Sequence, residues 1–215
     1  MALYSINQLG EHTLIGLWKI EENYEELIEQ LFMFEQENFS NNTRNLHWVA
    51  TRVLLQNLLM KLGINEKQIL KKHNNGKPYL HNSSIDISLS HSGDFAAVMI
   101  SSNRQIGIDI EIISEKITRL AHKFVNDFEF ENINEEYKIE QLYFIWSAKE
   151  SIFKFYGKGE LDFKENMSLD LKYYSPKQDG LVPARLNKGE YSADLWIAYS
   201  MIENQYVLTW ISDKG

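Results

Sequence analysis

The chain of 215 residues contains no cysteine, which excludes disulfide bonds, thiolate metal ligands and a cysteine nucleophile. Proline is scarce as well, with 3 residues in all, and no Pro-rich or Gly/Ser-rich linker divides the sequence. The longest clean apolar run, 95–100, is too short to cross a bilayer, and the first residues lack the basic and apolar segments of a signal peptide. These absences predict a cytoplasmic protein with no membrane segment.

Basic side chains are in the minority, because 22 Lys and Arg stand against 30 Asp and Glu, for a net charge of -8. Such a chain is a poor match for a nucleic-acid backbone, so nucleic acid is not expected as a partner. The hydrophobic fraction of 44% is that of an ordinary globular protein. Any polyanion that binds here must be held by a few local cations or by a metal ion.

The first half of the chain begins with a weakly alternating strand at 14–20 and then turns helical. Apolar residues recur at helical spacing over 24–34, behind Asn23 as N-cap with Glu26 three residues later. A second helix is predicted over 45–62, and turn-forming residues follow it at 73–78. Three short strands are then expected to form one antiparallel meander, at 85–89, 95–101 and 106–112.

The second half repeats this order, with helices first and strands after them. Helical segments are predicted at about 117–126 and 140–156, and strands near 167–174, 193–200 and 206–212. The order predicts an α+β pseudodimer of two similar halves, 1–104 and 105–215, each with helices packed on a small, mainly antiparallel sheet. Without a linker the halves should form a single compact unit, with the active site in the cleft between them.

Two carboxylates stand at alternate positions of the strand predicted at 106–112. Asp109 and Glu111 therefore share one face of that strand, while Ile108 and Ile110 point to the other face. Paired carboxylate oxygens are hard ligands that suit Mg²⁺. Taken alone, the pair fits two solvated acids on an exposed strand face better than a metal site.

The helix predicted at 140–156 presents Glu150 and Lys154 at i and i+4, on one face. This spacing is common in surface helices, where such a pair contributes about 0.3 to 0.5 kcal/mol. The same geometry also suits a third oxygen ligand for a metal ion and a cation beside a phosphate. The residues alone leave both interpretations open.

The first half offers a lysine in a turn, Lys77, and a histidine at the end of a strand, His91 beside Ser90. The simple interpretation is two ordinary turns, and the sharper one is a clamp for a phosphate group. Arg44 and Arg52 lie on the helix predicted at 45–62 or just before it. Each arginine either lies on the solvent-exposed side of that helix or contacts a phosphate group.

Four short segments occur in a fixed order along the chain. They are Gly76-Lys77-Pro78, SLSHSG at 88–93, GIDIE at 107–111 and WSAKESIFK at 146–154. Together they resemble the 4'-phosphopantetheinyl transferases of the surfactin-synthetase-activating class, over about residues 44–160. The resemblance implies a pseudodimeric α+β fold, with transfer of the phosphopantetheine arm of coenzyme A to a serine of a carrier protein and release of adenosine 3',5'-bisphosphate.

The resemblance also implies roles for individual residues. Mg²⁺, or Mn²⁺, would be held by Asp109, Glu111 and Glu150, and the catalytic residues would be Asp109, Glu150 and Lys154. Either Glu150 or a metal-bound water that it orients would take the serine proton. Coenzyme A would be bound by Arg44, Arg52, Lys77, Ser90, His91, Lys149 and Lys154. The stretch 34–39 lacks the lysines that the family often uses to grip the 3'-phosphate.

The partner implied by the resemblance is an apo acyl or peptidyl carrier protein, docked through 114–137, and the protein itself is expected to be a monomer. Two alternatives are kept. A metal-dependent phosphohydrolase acting on nucleotides would need the same acids. A catalytically silent carrier-binding module would need only the fold.

Overall fold

The computed structural model of the chain describes residues 3–35 and 43–212, apart from the side chains of Thr43, Arg44 and Ser212. Residues 36–39 of the lysine-poor stretch therefore lie outside the described residues. The chain divides into two compact units, Met1–Ile106 and Gly107–Gly215. Both units combine helices with an antiparallel sheet, so the α+β class is confirmed.

The first unit carries its helices between early and late strands. Its elements are β1 (Leu3–Gln8), β2 (Thr13–Lys19), α1 (Tyr24–Gln30), α2 (Thr43–Lys61), β3 (Leu70–Lys72), β4 (Pro78–Leu80), β5 (Asp86–Ser92) and β6 (Phe95–Ser101). The main sheet has the order β1-β2-β6-β5, and β3 pairs with β4 in a separate hairpin. All of these pairings are antiparallel.

The helices of the first unit begin and pack as the sequence predicts. Asn23 and Glu26 form the capping box of α1, because each side chain accepts a hydrogen bond from the other's backbone N–H. Helix α2 packs on β2 and β6 through buried leucines and valines. Gly16 permits this approach, since a Cβ there would lie 2.7 Å from Leu54 Cδ1.

The second unit has a comparable order of elements. These are β7 (Ile108–Ile112), α3 (Asp127–Glu131), α4 (Lys138–Tyr156), β8 (Met167–Leu169), β9 (Gly180–Lys188), β10 (Tyr191–Ile202) and β11 (Tyr206–Ser212), and the sheet order is β7-β11-β10-β9-β8. Helix α4 packs on β7 and β11. It ends at Gly157, whose left-handed φ of 62° is the usual glycine C-cap, and this end agrees with the helix predicted at 140–156.

The two units share a pattern of strand pairing. In each, the strand just before the helices pairs with the last strand of the unit, and that last strand pairs with the one before it. These sets are β2-β6-β5 and β7-β11-β10. In each unit the longest helix, α2 or α4, packs on the first two strands of its set.

Three predictions of local structure are wrong in whole or in part. The strand predicted near 167–174 ends at Leu169, and Leu171–Tyr173 form a short 3-10 helix. The strand at 106–112 does not continue the meander of β5 and β6, because β7 pairs with β11, far along the chain, in the other sheet. The helix predicted at 117–126 is a pair of short 3-10 helices, Glu115–Arg119 and Ala121–Lys123. Asn126 then caps the short helix α3 with a capping box, so the helical turn starts where the predicted helix was to end.

Among the described residues, the search for a helix with the length and apolarity needed to cross a membrane finds none.

Candidate active site

The strand β7 directs its two carboxylates toward α4. Asp109 pairs across the sheet with Thr209, and the Thr209 hydroxyl hydrogen-bonds the hydroxyls of Ser147 and Ser151 on α4. Directly opposite residues share a face, so Asp109 faces the same helix, and it is only 3% exposed. Glu111 follows at the next position of that face.

Helix α4 contributes a cation and an indole that contact these carboxylates. The Lys154 ammonium donates to Asp109 Oδ1 at 2.7 Å and to the Ile108 carbonyl at 3.0 Å. The Trp146 indole Nε1 donates to Glu111 Oε1 at 2.9 Å. The structure therefore brings Lys154 to Asp109 and Trp146 to Glu111, although the helix and the strand are far apart in sequence.

Glu150 belongs to the same electrostatic environment. The pKa of Glu150 is raised to about 7, chiefly by burial and also by the negative charges of Asp109 and Glu111, while the charge of Lys154 lowers it. These neighbours make the ionised carboxylate costly at neutral pH. A carboxyl group whose pKa lies near neutrality can accept or donate a proton under physiological conditions.

The donor set suits a hard divalent cation, since carboxylate oxygens are the preferred ligands of Mg²⁺ and Mn²⁺. A cation would also relieve the repulsion that raises the pKa of Glu150. As they stand, however, no three His, Asp or Glu side chains within 3–35 and 43–212 form a cluster that could hold a metal. The metal site of Asp109, Glu111 and Glu150 stays a prediction.

In the first unit, Lys77 is held by an acid that the sequence interpretation did not identify. The Lys77 ammonium lies 3.1 Å from Asp86 Oδ2, and both side chains are largely buried. The same Asp86 oxygen accepts a hydrogen bond from the Ile106 backbone N–H, and its other oxygen accepts from Ile87 N–H. Asp86 thus fixes the lysine and partly neutralises it.

Strand β5 carries Ser90 and His91 with opposite exposure. Ser90 is buried and His91 is exposed, as expected for neighbours on a strand. The His91 ring stacks on His47 of α2, with ring centroids 4.5 Å apart. His47 Nε2 donates to the Gly93 carbonyl at 2.7 Å, so it braces the turn that follows β5.

Neither of the two arginines predicted to bind coenzyme A presents an exposed guanidinium among the described residues. Arg52 is 8% exposed, its guanidinium lies 4.3 Å from the Trp48 ring centroid, and its Nη1 donates to Thr51 Oγ1. This placement leaves little exposed surface for a phosphate, and its role in nucleotide binding stays a prediction. The side chain of Arg44 lies outside the described residues, so that part of the prediction also stays open.

The prediction that Lys149 binds coenzyme A is wrong, because the structure places this lysine in the core and not at a surface that a ligand could reach. Its ammonium is fully buried and donates three hydrogen bonds, to Glu129 Oε2, Phe124 O and Phe163 O, at 2.7 to 2.8 Å. Those bonds occupy all three of its protons, so none is left for coenzyme A. Burial lowers the pKa of Lys149 and raises that of Glu129, while each charge opposes the shift in its partner.

Sequence reasoning missed His47, Asp86 and Glu129 as partners of the predicted site residues. Only Glu129 had a readable signal, since Asn126 followed three residues later by a glutamate is a capping box. His47 and Asp86 act through contacts between distant segments, which a single sequence does not display.

Residues 105–211 match the family model described as the 4'-phosphopantetheinyl transferase superfamily. The chain is 33% identical over 120 residues to the 4'-phosphopantetheinyl transferase gsp of Aneurinibacillus migulanus, which covers 51% of this chain and 50% of that protein. It is 31% identical over 150 residues to the transferase ffp of Bacillus subtilis, covering 64% and 63%. It is 25% identical over 145 residues to the transferase AcpT of Escherichia coli K12, covering 65% and 71%.

The match to the first of these relatives spans half of that relative's length. The family model covers the unit that contains β7 and α4, and hence the Asp109, Glu111, Glu150 and Lys154 set. This part of the chain, residues 105–211, belongs to the 4'-phosphopantetheinyl transferase superfamily.

Proposed function

We propose that this protein transfers the 4'-phosphopantetheine arm of coenzyme A to a serine hydroxyl of an apo acyl or peptidyl carrier protein. The observation that carries the proposal is the acidic set beside Lys154, built on β7 and α4 within the part of the chain that matches the family. The relatives' names support the same reaction.

The reaction exchanges the phosphoanhydride linkage of coenzyme A for a phosphoester linkage to serine. The serine oxygen bonds to the phosphorus that carries the pantetheine arm, the P–O bond of the pyrophosphate breaks, and adenosine 3',5'-bisphosphate leaves. Glu150, or a metal-bound water that it orients, would take the serine proton. Positioning and charge stabilisation supply most of the catalysis in such phosphoryl transfers.

Charge on the pyrophosphate is met by Lys154 and by a divalent cation. Asp109, Glu111 and Glu150 would hold Mg²⁺, or Mn²⁺, which screens the phosphate charge and assists the leaving oxygen when bound. The Lys154 ammonium lies on Asp109 and the Ile108 carbonyl, and it would turn to a phosphate oxygen when the substrate binds.

Coenzyme A binding is proposed to use strand β5 and its neighbours. The first residue of β5, Asp86, holds Lys77, and the end of the strand carries Ser90 and His91. These groups offer one ammonium, one hydroxyl and one imidazole, all suited to phosphate oxygens. Arg52 and Arg44 stay predictions for the nucleotide end.

The carrier protein is proposed to dock on residues 114–137 of the second unit. This segment exposes large apolar side chains among exposed cations. They are Leu120, Phe128 and Phe130 beside Lys116, Arg119 and Lys123. The cations lie within 116–123, and the same segment also exposes acids, at Glu115, Asp127, Glu131, Glu135 and Glu136. An acidic partner would therefore have to dock on the cations of 116–123 and on the apolar anchors.

The fold proposal is a pseudodimer, in which each unit repeats one plan. It is supported by the shared strand pairing of β2-β6-β5 and β7-β11-β10, each with its longest helix on the first two strands. The cleft location of the active site, the monomeric state and the cytoplasmic location stay predictions.

The test is to incubate the protein with coenzyme A, Mg²⁺ and each of several apo carrier proteins, and then to weigh the carriers. We expect a mass gain of one phosphopantetheine on at least one carrier. Asp109→Ala and Glu150→Ala should abolish the gain, while Glu190→Ala, an exposed acid of the same unit outside 114–137, should not.

Three outcomes would count against these assignments. Absence of any mass gain with every carrier contradicts the transferase function. Hydrolysis of coenzyme A without a carrier would favour a phosphohydrolase. Full activity of the Asp109→Ala protein would contradict the proposed metal site alone.

A further inference from the structure

One buried ion pair in the second unit takes no part in the proposed chemistry. The Lys149 ammonium and the Glu129 carboxylate are both 0% exposed and lie 2.7 Å apart. The other two protons of the ammonium go to the carbonyls of Phe124 and Phe163. Lys149 directly precedes Glu150 on α4, so this pair lies against the turn that carries the proposed base.

Glu129 extends the connection beyond the ion pair. Its Oε1 accepts from the Leu169 backbone N–H on β8, and its Oε2 accepts from the Asn126 N–H in the capping box of α3. Two side chains therefore join α4 to the segment 124–129, to the loop at Phe163 and to β8. The segment 124–129 lies within residues 114–137, and its exposed Phe128 belongs to the proposed docking surface.

Helix α4 uses separate faces for its two sets of contacts. Ser147, Ser151 and Lys154 contact β11 and β7. Trp146, Lys149 and Phe153 lie on a neighbouring face, where they contact Phe124, Phe163 or both, and Trp146 also reaches Glu111 of β7. The placement of Glu150 and Lys154 against β7 thus has its own supports, independent of the ion pair.

A buried ion pair is a poor source of stability, because the desolvation of both charges offsets most of their attraction. Its directional bonds are better suited to fixing the relative position of the parts that it joins. Here those parts are the helix of the proposed base and the segment proposed to receive the carrier.

We propose that Lys149 and Glu129 are positioning residues that hold the docking segment 124–129 in register with Glu150, so that the carrier serine reaches the base. This inference rests on the proposed function. It predicts that loss of the pair impairs the use of the carrier protein and spares the binding of coenzyme A.

The test replaces the pair by neutral side chains of similar size, in Lys149→Met/Glu129→Gln. With an apo acyl carrier protein as acceptor, we expect kcat/KM for the carrier to fall by about 10-fold to 100-fold, as for a small misplacement of reacting groups. The dissociation constant for coenzyme A and Mg²⁺, measured by calorimetry without a carrier, should stay unchanged. Hydrogen exchange should quicken in 124–131 and not in α4.

The matched control is Leu27→Ala, which opens a cavity in the core of the first unit, whereas the ion pair lies in the second unit. It lowers the melting temperature through lost packing and should leave KM for the carrier unchanged at a temperature where both variants are folded. If the double variant is unfolded at that temperature, Glu129→Asp, which keeps the charge and shortens its reach, replaces it under the same criteria.

The outcomes separate this inference from the function on which it rests. A wild-type protein that modifies no carrier contradicts the proposed function. An active wild type together with a folded double variant that keeps the wild-type kcat and KM for the carrier overturns the positioning role alone. Equal losses in carrier use and in coenzyme A binding would also overturn it.

Discussion

At the scale of single residues, the Glu150 carboxyl couples the proposed chemistry to stability. Its pKa in the folded protein is about 7, against an ordinary value of 4.5, mainly because of burial and the nearby charge of Asp109. Its stabilising contribution is therefore fully present below pH 4.5 and is lost as the pH rises through 7. At neutral pH the ionised Glu150 carboxylate therefore lowers the stability of the folded protein, and a bound cation would remove this loss.

The first prediction concerns Glu150→Gln in the absence of metal. Because the amide cannot ionise, the variant should be more stable than the wild type at pH 8 by about 1 to 3 kcal/mol, with a much smaller difference at pH 5. Urea unfolding in the presence of a chelator measures both values. The control is Glu131→Gln, an exposed acid on α3. A Glu150→Gln effect that is equal at the two pH values would contradict the argument.

A pair of tyrosines in the second unit gives another test of a single group. Tyr174 and Tyr199 both pack around Phe144, and the Tyr199 hydroxyl bonds the backbone N–H and carbonyl of Ser175. The buried Tyr174 hydroxyl has no hydrogen-bond partner among the described residues. Burial raises the pKa of Tyr174 far above its ordinary value, so the hydroxyl is neutral.

The second prediction contrasts two identical substitutions. Tyr174→Phe removes an unsatisfied buried hydroxyl and should leave stability unchanged or raise it by up to about 1 kcal/mol. Tyr199→Phe removes two hydrogen bonds and should lower stability by about 1 to 2 kcal/mol. Thermal unfolding of both variants decides the matter, and a larger loss for Tyr174→Phe would show that its hydroxyl has a partner.

At the scale of elements, the contact of α4 with β7 depends on a residue without a side chain. A Cβ on Gly107 would lie within van der Waals overlap of the Ser151 carbonyl and 2.8 Å from Phe155 N. Both neighbours are backbone atoms of α4, which cannot move aside singly. Gly107 thus sets how closely the helix approaches the strand that carries Asp109.

The third prediction is that Gly107→Ala pushes α4 away from β7. We expect a loss of about 3 kcal/mol or more and loss of phosphopantetheine transfer, since Lys154 and Glu150 move with the helix. Gly16→Ala is the matched control, because its new Cβ meets the movable side chain of Leu54 and should cost only about 1 to 2 kcal/mol. Equal losses in the two variants would contradict the role given to backbone contact.

Elements fixed by local signals were predictable from the sequence. The capping box of α1, the length of α2 and the glycine stop of α4 follow from neighbouring residues and match the structure. Elements fixed by distant partners were not. The residues of strand β7 were predicted, but its sheet was not, because its partner β11 lies far along the chain. The strands β1 and β9 were not predicted at all.

The candidate site shows the same division. The strand alternation that aligns Asp109 with Glu111 was sufficient to predict a shared face, and the i, i+4 rule paired Glu150 with Lys154. Lys149 was assigned wrongly, because its burial depends on Glu129 and on the carbonyls of Phe124 and Phe163. No local pattern distinguishes such a lysine from the exposed lysines of an ordinary helix.

At the scale of the whole molecule, the net charge of -8 makes an acidic carrier protein a demanding partner. Long-range repulsion is screened by salt beyond about 8 to 10 Å, so docking depends on the charges that lie at the contact. The exposed cations of residues 114–137 are the groups that can supply them in this proposal.

The fourth prediction is that Lys116→Glu, Arg119→Glu and Lys123→Glu together raise KM for an apo acyl carrier protein by about 10-fold or more. KM for coenzyme A should not change. Lys61→Glu, Lys67→Glu and Lys172→Glu form the control, because these exposed lysines change the net charge equally and lie outside 114–137. The same rise in both triple variants would mean that net charge matters and that the docking surface is misplaced.

Because α4 makes one set of contacts with β7 and β11 and another with Phe124 and Phe163, both its length and its sequence are constrained. One residue inserted between Trp146 and Glu150 would rotate the two ends of the helix against each other by about 100°. Glu150 and Lys154 could then face β7 only if Trp146 left Glu111. Insertions and deletions should therefore be found in connections such as the turn at Gly189, while α4 varies only by substitution.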